Sequence, residues 1–350
     1  MKAAVVTKSG QLAVWEVPEP ALGPYDVLCR MLWGATCAGT DIHLMDGLHP
    51  HPVSFPTILG HESVGRVVAV GSRVRNFREG DLVTRVGAPK NLLPGLGANW
   101  GGFAEYGIAR DHRQMRADGL EKALWDPYRV NQTVEAGIDP RTAPMIITWR
   151  ETLSYANRVG IGPEKTVLLI GSGANALSFA AHGCNLGARV IVIGSKNREA
   201  LFRAFPIEEY LDYKGEGLMD WARQALSRCG REDADCLLDA VGGSDTANAL
   251  LPLLKREGVF CNYGWNGRRS YGLNPFLAGG SFRVYADGYD EEESNRQVQS
   301  LILQGKLTPE AWYNPELPVP LSSISRAYDS LRRHEAVKYL IDLGGSYEET

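Results

Sequence analysis

The 350-residue chain carries 37 Lys and Arg against 41 Asp and Glu, a formal charge of −4, with 44% hydrophobic and 22% charged residues. This is the balance of a globular chain long enough for two domains, with no basic field to recruit nucleic acid or an anionic membrane. The opening MKAAVVTKSGQ lacks the apolar run of a signal peptide, and no stretch is long enough to cross a bilayer. The six cysteines (Cys29, Cys37, Cys184, Cys229, Cys236 and Cys261) form no CxxC pair, so free thiols in a reducing cytoplasm are expected.

Up to about residue 110, short β-branched runs alternate with glycine punctuation: DVLCRMLW at 26–33, SVGRVVAVG at 63–71 and GDLVTRVG at 80–87. Such spacing predicts an antiparallel or barrel-like β domain. From about residue 150 the texture becomes strand and helix in alternation. TVLLIG (166–171) precedes a helical ANALSFAAHGCNLG, RVIVIG (189–194) follows, and DCLLDAVGG (235–243) and GVFCNYGW (258–265) continue the series. Buried apolar strands between helices predict a parallel sheet covered on both faces. After about residue 285 come a helix, a proline-rich connector and a closing helix and strand, which could return to the first domain.

The sharpest local signal is Gly171-Ser-Gly173-Ala174-Asn175-Ala176, between a strand and a helix. Glycines there allow a tight turn and let the backbone approach a pyrophosphate, which the helix N-terminus then faces with aligned N–H groups. A dinucleotide site is the expectation. At the end of the next strand an NAD site usually presents Asp or Glu to the ribose. Here the residues are Gly194, Ser195, Lys196, Asn197 and Arg198. Ser195, Lys196 and Arg198 suit a 2′-phosphate, so NADP(H) is expected ahead of NAD(H).

Four segments together resemble the medium-chain dehydrogenase/reductase superfamily, the group of zinc alcohol and polyol dehydrogenases. They are GTDIH (39–43), ILGHESVGRVVAVGSRVRNFREGDLV (58–83), the glycine turn, and the terminal PLSSISRAYDSLRRHEAVKYLIDL. The resemblance covers nearly the whole chain. It implies an α/β protein: a GroES-like catalytic domain from residues 1–147 and 286–350, a doubly wound Rossmann domain from 148–285, and an active site in the cleft. It also implies that DAVGG and NYGWNG border the nicotinamide, with Val241, Tyr263 and Gly264 as cofactor contacts. Relatives form dimers or tetramers, so a homo-oligomer is expected by resemblance.

Many members hold a second, structural zinc on four cysteines, but the corresponding stretch here, 85–106, contains no Cys or His, so no such site is expected. For the catalytic zinc, the resemblance implies His61 of Gly-His-Glu, the neighbouring Glu62, and a cysteine before Gly-Thr-Asp. That cysteine is separated by an extra residue. Aligned from upstream, Cys37 holds the ligand position; aligned back from GTDIH, Ala38 does. The third family ligand falls near 146–155, on Thr148, with Glu151 the nearest carboxylate. Two readings stay open: zinc on Cys37, His61 and Glu62, or a site that has lost its metal. Thr40 and His43 match the family's proton relay, and Asp41 its loop or ligand orienter. Trp33, His49, His51, Trp100, Trp149 and Arg150 lie in segments that could border the substrate, and would suit a polyol, sugar or anionic alcohol.

The functional expectation is an NADP(H)-dependent oxidoreductase interconverting an alcohol (polyol, sugar or other secondary alcohol) and a carbonyl, with one catalytic zinc. A zinc-free NADPH carbonyl or enone reductase, and a nucleotide-binding protein without turnover, are the alternatives.

Overall fold

A computed structural model describes all residues except 8, 9, 50, 51, 91, 265, 267–269 and 348–350. The chain forms two compact units, Met1–Arg150 with Glu291–Thr350, and Glu151–Asp290.

In the first unit, β1 (Lys2–Val6) and β2 (Leu12–Glu16) pair as an antiparallel hairpin, followed by the long β3 (Asp26–Ala35). Helix α1 (Ala38–Met45) comes next, then β4 (Thr57–Ile58), β5 (Glu62–Val70), β6 (Leu82–Thr84), β7 (Gly97–Ala98) and β8 (Tyr106–Arg110). Two short helices, α2 (His112–Ala117) and α3 (Lys122–Trp125), lead through β9 (Gln132–Thr133) to α4 (Met145–Val159), within which the two units divide. The strands form a β-rich body, as the glycine-punctuated runs predict, because alternate side chains of β3 and β5 must be buried. Val27, Cys29, Met31, Val67 and Val83 join one apolar core. A smaller core of Ala3, Val5, Ile58, Leu96 and Ala98 takes in Leu92 and Leu93.

The second unit is built on β10 (Thr166–Ile170), α5 (Ala174–Asn185), β11 (Arg189–Gly194), α6 (Glu199–Phe202), β12 (Glu209–Asp212), α7 (Leu218–Arg228), β13 (Ala234–Asp239), α8 (Ser244–Leu250), β14 (Leu254–Asn262) and β15 (Arg283–Tyr285). All six strands are parallel, in the order β12-β11-β10-β13-β14-β15. This is the doubly wound arrangement, whose order reverses between β10 and β13, and ligands of such sheets sit at the carboxyl ends of those strands.

The tail returns to the first unit. It contains α9 (Glu291–Leu303), β16 (Val319–Pro320), α10 (Ile324–Arg332) and β17 (Leu340–Asp342). Strand β17 pairs with β3, Leu340 opposite Ala35, while on the other side of β3 Ala35 faces Glu62. The complete order is β16-β17-β3-β5-β6-β9, with β8 also on β3. The end of β3 is therefore flanked by the start of β5 and the approach to β17, and the side chains with the site's chemistry gather there.

Candidate active site

The residue after β3, Thr36, opens a turn in which Cys37 caps α1, its sulfur accepting from Thr40 N at 3.5 Å. Ala38 is the first helical residue, and Cys37, two residues beyond β3, stands outside the helix as its cap. At the start of β5, Gly60 has φ +99°, and a Cβ there would meet the Phe103 ring. Only glycine lets that ring lie beneath the backbone that delivers His61. Cys37 Sγ, His61 and Glu62 then bring one ligand atom each to within 4.8 Å of one another. Among the described residues this is the cluster of Cys, His and carboxylate groups able to hold a metal.

Asp41 organises that cluster from beneath. Buried in the first turn of α1, it accepts from Cys37 N at 2.9 Å, from the Tyr328 hydroxyl of α10, and places Oδ1 3.2 Å from His61 Nδ1. Engaging Nδ1 leaves Nε2 on the cluster side, 3.7 Å from Glu62 Oε1. Burial disfavours the imidazolium of His61, but Asp41 and then Cys37 outweigh it and hold the pKa well above its ordinary value. Burial, reinforced by Asp41, also pushes the Tyr328 phenol up, so it stays a donor.

Lys338, which the motif reading did not single out, supplies the cluster's cation. Its buried ammonium donates to both oxygens of Glu62, the longer contact 2.6 Å, and to Thr36 O at 3.0 Å. Burial lowers its pKa, but Glu62 more than offsets this and the net direction is upward. The only sequence signal was its place in the closing segment two residues before β17, since its partner lies 276 positions away.

Thr40 and His43 are half-buried on α1, three residues apart and so on one face of the helix. His43 Nδ1 lies against the Gly39 carbonyl. Of the candidate substrate-bordering residues, two stand beside the cluster. The Trp100 ring, 46% exposed, lies with its centroid 5.2 Å from that of His61, and His49 meets it edge-on at 6.3 Å. Trp33, Trp149 and Arg150 are instead packed inside, the role their residue types equally allow. Arg150 donates to Glu291, Thr84 and the Val130 carbonyl, and Trp149 stacks edge-on with Trp312. His51 lies outside the described residues. Thr148 is buried in α4 and belongs to the first unit, whereas Glu151 belongs to the second, where the Tyr263 hydroxyl reaches it at 3.4 Å.

In the second unit the glycine turn sits where β10 meets α5. Gly171 has φ +135°, and its N–H bonds Ile193 O at 2.8 Å, locking the turn onto β11. Gly173 caps α5, and a Cβ on it would meet nothing within 4 Å; Ala174 and Asn175 beside it are half-buried, while Ala176 is packed inside. A chain of bonds ties the end of β11 to this turn: Ser195 N to Ser172 Oγ at 3.3 Å, and the Tyr210 hydroxyl to Ser195 O at 2.8 Å. Beyond Gly194, Lys196 and Arg198 form a short 3₁₀ turn capped by Ser195. Across the switch point, buried Asp239 accepts from Val241 N and Gly242 N at 2.8 and 2.9 Å and from the Tyr271 hydroxyl at 2.8 Å. Tyr263 N and Gly264 N bond the Asp239 carbonyl, bringing Val241, Tyr263 and Gly264 together at the carboxyl ends of β13 and β14.

A β-rich unit with a thiol, imidazole and carboxylate cluster, and a doubly wound sheet with an open glycine turn, together describe a dehydrogenase. Residues 23–118 match the alcohol dehydrogenase GroES-like domain. The chain is 25% identical to the sorbitol dehydrogenase of Halalkalibacterium halodurans over 97% of its own length and 99% of that protein. It is 30% identical to the L-threonine 3-dehydrogenase of Anaeromyxobacter dehalogenans, covering 74% of this chain and 75% of that one. Among solved structures, alcohol dehydrogenase TADH from Thermus sp. ATN1 superposes with a TM-score of 0.77 at 23% identity, over 98% and 99% of the two chains. The chain belongs to the medium-chain dehydrogenase/reductase superfamily and is an alcohol/polyol-dehydrogenase-like oxidoreductase. Among the described residues, no helix is long and apolar enough to cross a membrane.

Proposed function

We propose that this protein interconverts an alcohol (a polyol, sugar or other secondary alcohol) and a carbonyl with NADP(H), using one zinc held by Cys37, His61 and Glu62. The observation that carries the reading is the approach of those three ligand atoms to within 4.8 Å. A thiolate, an imidazole nitrogen and a carboxylate oxygen are zinc's own donor set, and three protein ligands leave a position for substrate. Glu62 accepts from Lys338 at both oxygens, yet each carboxylate oxygen has a further lone pair to offer. When bound, zinc supplies Lewis acidity toward the reacting oxygen, and the nicotinamide exchanges hydride with the carbon that bears it.

The chain's own groups do the rest. Asp41 fixes the His61 ring so that Nε2 faces the cluster, and the Cys37 backbone is tied to the same carboxylate. Thr40 and His43 form the route by which the substrate proton reaches solvent. The Gly39 carbonyl holds a proton on Nδ1 of His43, so Nε2 is the nitrogen that takes up and releases one. Gly171, Gly173 and the first turn of α5 cradle the pyrophosphate, and Val241, Tyr263 and Gly264 border the nicotinamide. Ser195, Lys196 and Arg198 receive the 2′-phosphate, with no carboxylate among residues 194–198 to repel it.

Metal analysis with activity assays on the purified protein tests the reading. About one zinc per chain, lost together with NADP-dependent alcohol oxidation in a Cys37→Ala/His61→Ala variant, is expected. A zinc-free protein that still reduces carbonyls or enones with NADPH would replace it with the metal-independent alternative. Cofactor binding without turnover across a panel of alcohols and carbonyls would refute it.

A further inference from the structure

Two residues of the first unit other than glycine occupy left-handed backbone beside the donor cluster, Arg85 at φ +63° and Trp100 at φ +61°. A bulky side chain is unfavourable in that region and persists where the surroundings over-determine it, most often at ligand sites. Here the two are joined. The Arg85 guanidinium lies over the Trp100 ring, 5.8 Å from its centroid. One nitrogen of that guanidinium donates to the His61 carbonyl at 3.0 Å, and the other pairs with buried Glu291. The Ala88 N–H bonds Gly101 O at 2.9 Å, pinning the turn that presents the tryptophan. Trp100 is thus a rigidly mounted ring that remains nearly half exposed next to the His61 imidazole.

We propose that Trp100 is the specificity-determining residue of the site, a stacking platform for the carbon face of a neutral polyhydroxylated substrate, cyclic or folded into a ring-like shape. The inference rests on the alcohol-oxidation reading above and narrows its substrate class. An indole offers a flat apolar face, and such a face recognises the C–H side of a polyol while the hydroxyl rim stays free for polar groups. A short aliphatic alcohol has too little area to cover the ring. An anionic substrate would need a cation turned toward it, whereas the buried Arg85 guanidinium is turned to Glu291 and to the His61 carbonyl. His49, edge-on to the indole, stands at the rim where hydroxyls would fall.

The test is steady-state kinetics of the zinc-loaded full chain and its Trp100→Ala and Trp100→Phe variants with NADP. The probes are sorbitol, myo-inositol and D-glucose as polyhydroxylated substrates and 2-propanol as a small one. Trp100→Ala should lower kcat/KM for the best polyhydroxylated probe about tenfold or more, mainly through KM, and for 2-propanol less than about threefold. Trp100→Phe, which keeps a ring, should recover a large part of the loss. An equal loss on both probe types, no loss on either, or wild-type turnover of 2-propanol with none of the polyhydroxylated probes would overturn the inference while leaving the alcohol dehydrogenase reading intact. A wild-type enzyme that oxidises none of the four would overturn that reading and the inference with it.

Discussion

Lys338 and Glu62 form a fully buried ion pair, the ammonium within 2.6 Å of the carboxylate, although 276 residues separate them along the chain. They meet because β3 lies between β5 and β17, so that Ala35 faces Glu62 on one side and Leu340 on the other. The pair fixes a carboxylate at the donor cluster and removes the cost of burying it alone.

Removing one partner should therefore cost more than removing both. Lys338→Met is expected to destabilise the protein by about 3–5 kcal/mol, since it strands a buried charge. The Glu62→Gln/Lys338→Met double variant should recover most of that in urea denaturation. Additive losses in the double-mutant cycle would mean that the two residues are not coupled.

A second buried network predicts how stability depends on pH. Glu291 sits between Arg85 and Arg150; burial raises its pKa, but the two guanidinium groups outweigh this and hold it below the usual carboxylate range. Its folded pKa thus lies below an unfolded value of about 4.3. The stabilisation is fully present above that pH and is lost as the pH falls through the folded pKa. Glu291→Gln should be less stable than wild type at pH 7, with the gap closing below about pH 4. A gap that stays constant from pH 7 to pH 3 would contradict the assignment.

Asp41 touches the cluster only through His61 Nδ1 and the Cys37 amide, so its removal should loosen the metal rather than abolish it. Asp41→Asn is expected to weaken zinc binding by about 10–100-fold in a chelator competition. Tyr328→Phe, one bond further out, should have a smaller effect in the same direction.

The two glycines of the nucleotide turn should separate folding from binding. Gly173→Val adds atoms where a Cβ meets nothing within 4 Å, so the fold should survive while NADPH affinity falls more than about tenfold. Gly171→Ala forces a side chain onto φ +135° and should cost about 1–3 kcal/mol of stability. Unchanged NADPH binding by Gly173→Val would remove the turn from the site.

Cofactor choice has its own measurement. Arg198→Ala should raise the Kd for NADPH by about tenfold or more and leave NADH binding nearly unchanged. Equal NADPH binding by wild type and variant would leave the 2′-phosphate without its proposed receiver.

Much of the fold was legible because its signals are local. The apolar runs 166–171 and 189–194, the glycine turn and the helical pattern after it each need only neighbouring residues to be read, and each forms the element its period predicts. GTDIH and the Gly-His-Glu segment likewise pointed to Cys37, His61 and Glu62 together. Whether Cys37 or Ala38 belonged with them turned on the helix start, where Ala38 enters the first turn of α1 and Cys37 caps it. For Trp33, Trp149 and Arg150 the sequence leaves a substrate border and core packing both open. Their residue types suit a binding surface, but residue type does not reveal which side of a helix or strand the core covers, and all three are buried.

The sequence by itself determined the elements, the family and the residue types able to hold a metal and a dinucleotide, since these follow from short-range pattern and chemistry. Tertiary structure alone decided what surrounds them. The pairing of Lys338 with Glu62, of Tyr328 with Asp41, and of Arg85 with Glu291 beside Trp100 joins positions more than 200 residues apart. Such contacts arise only when the tail returns to the first unit, and buried charges and strained backbone are tolerated there because those distant partners satisfy them.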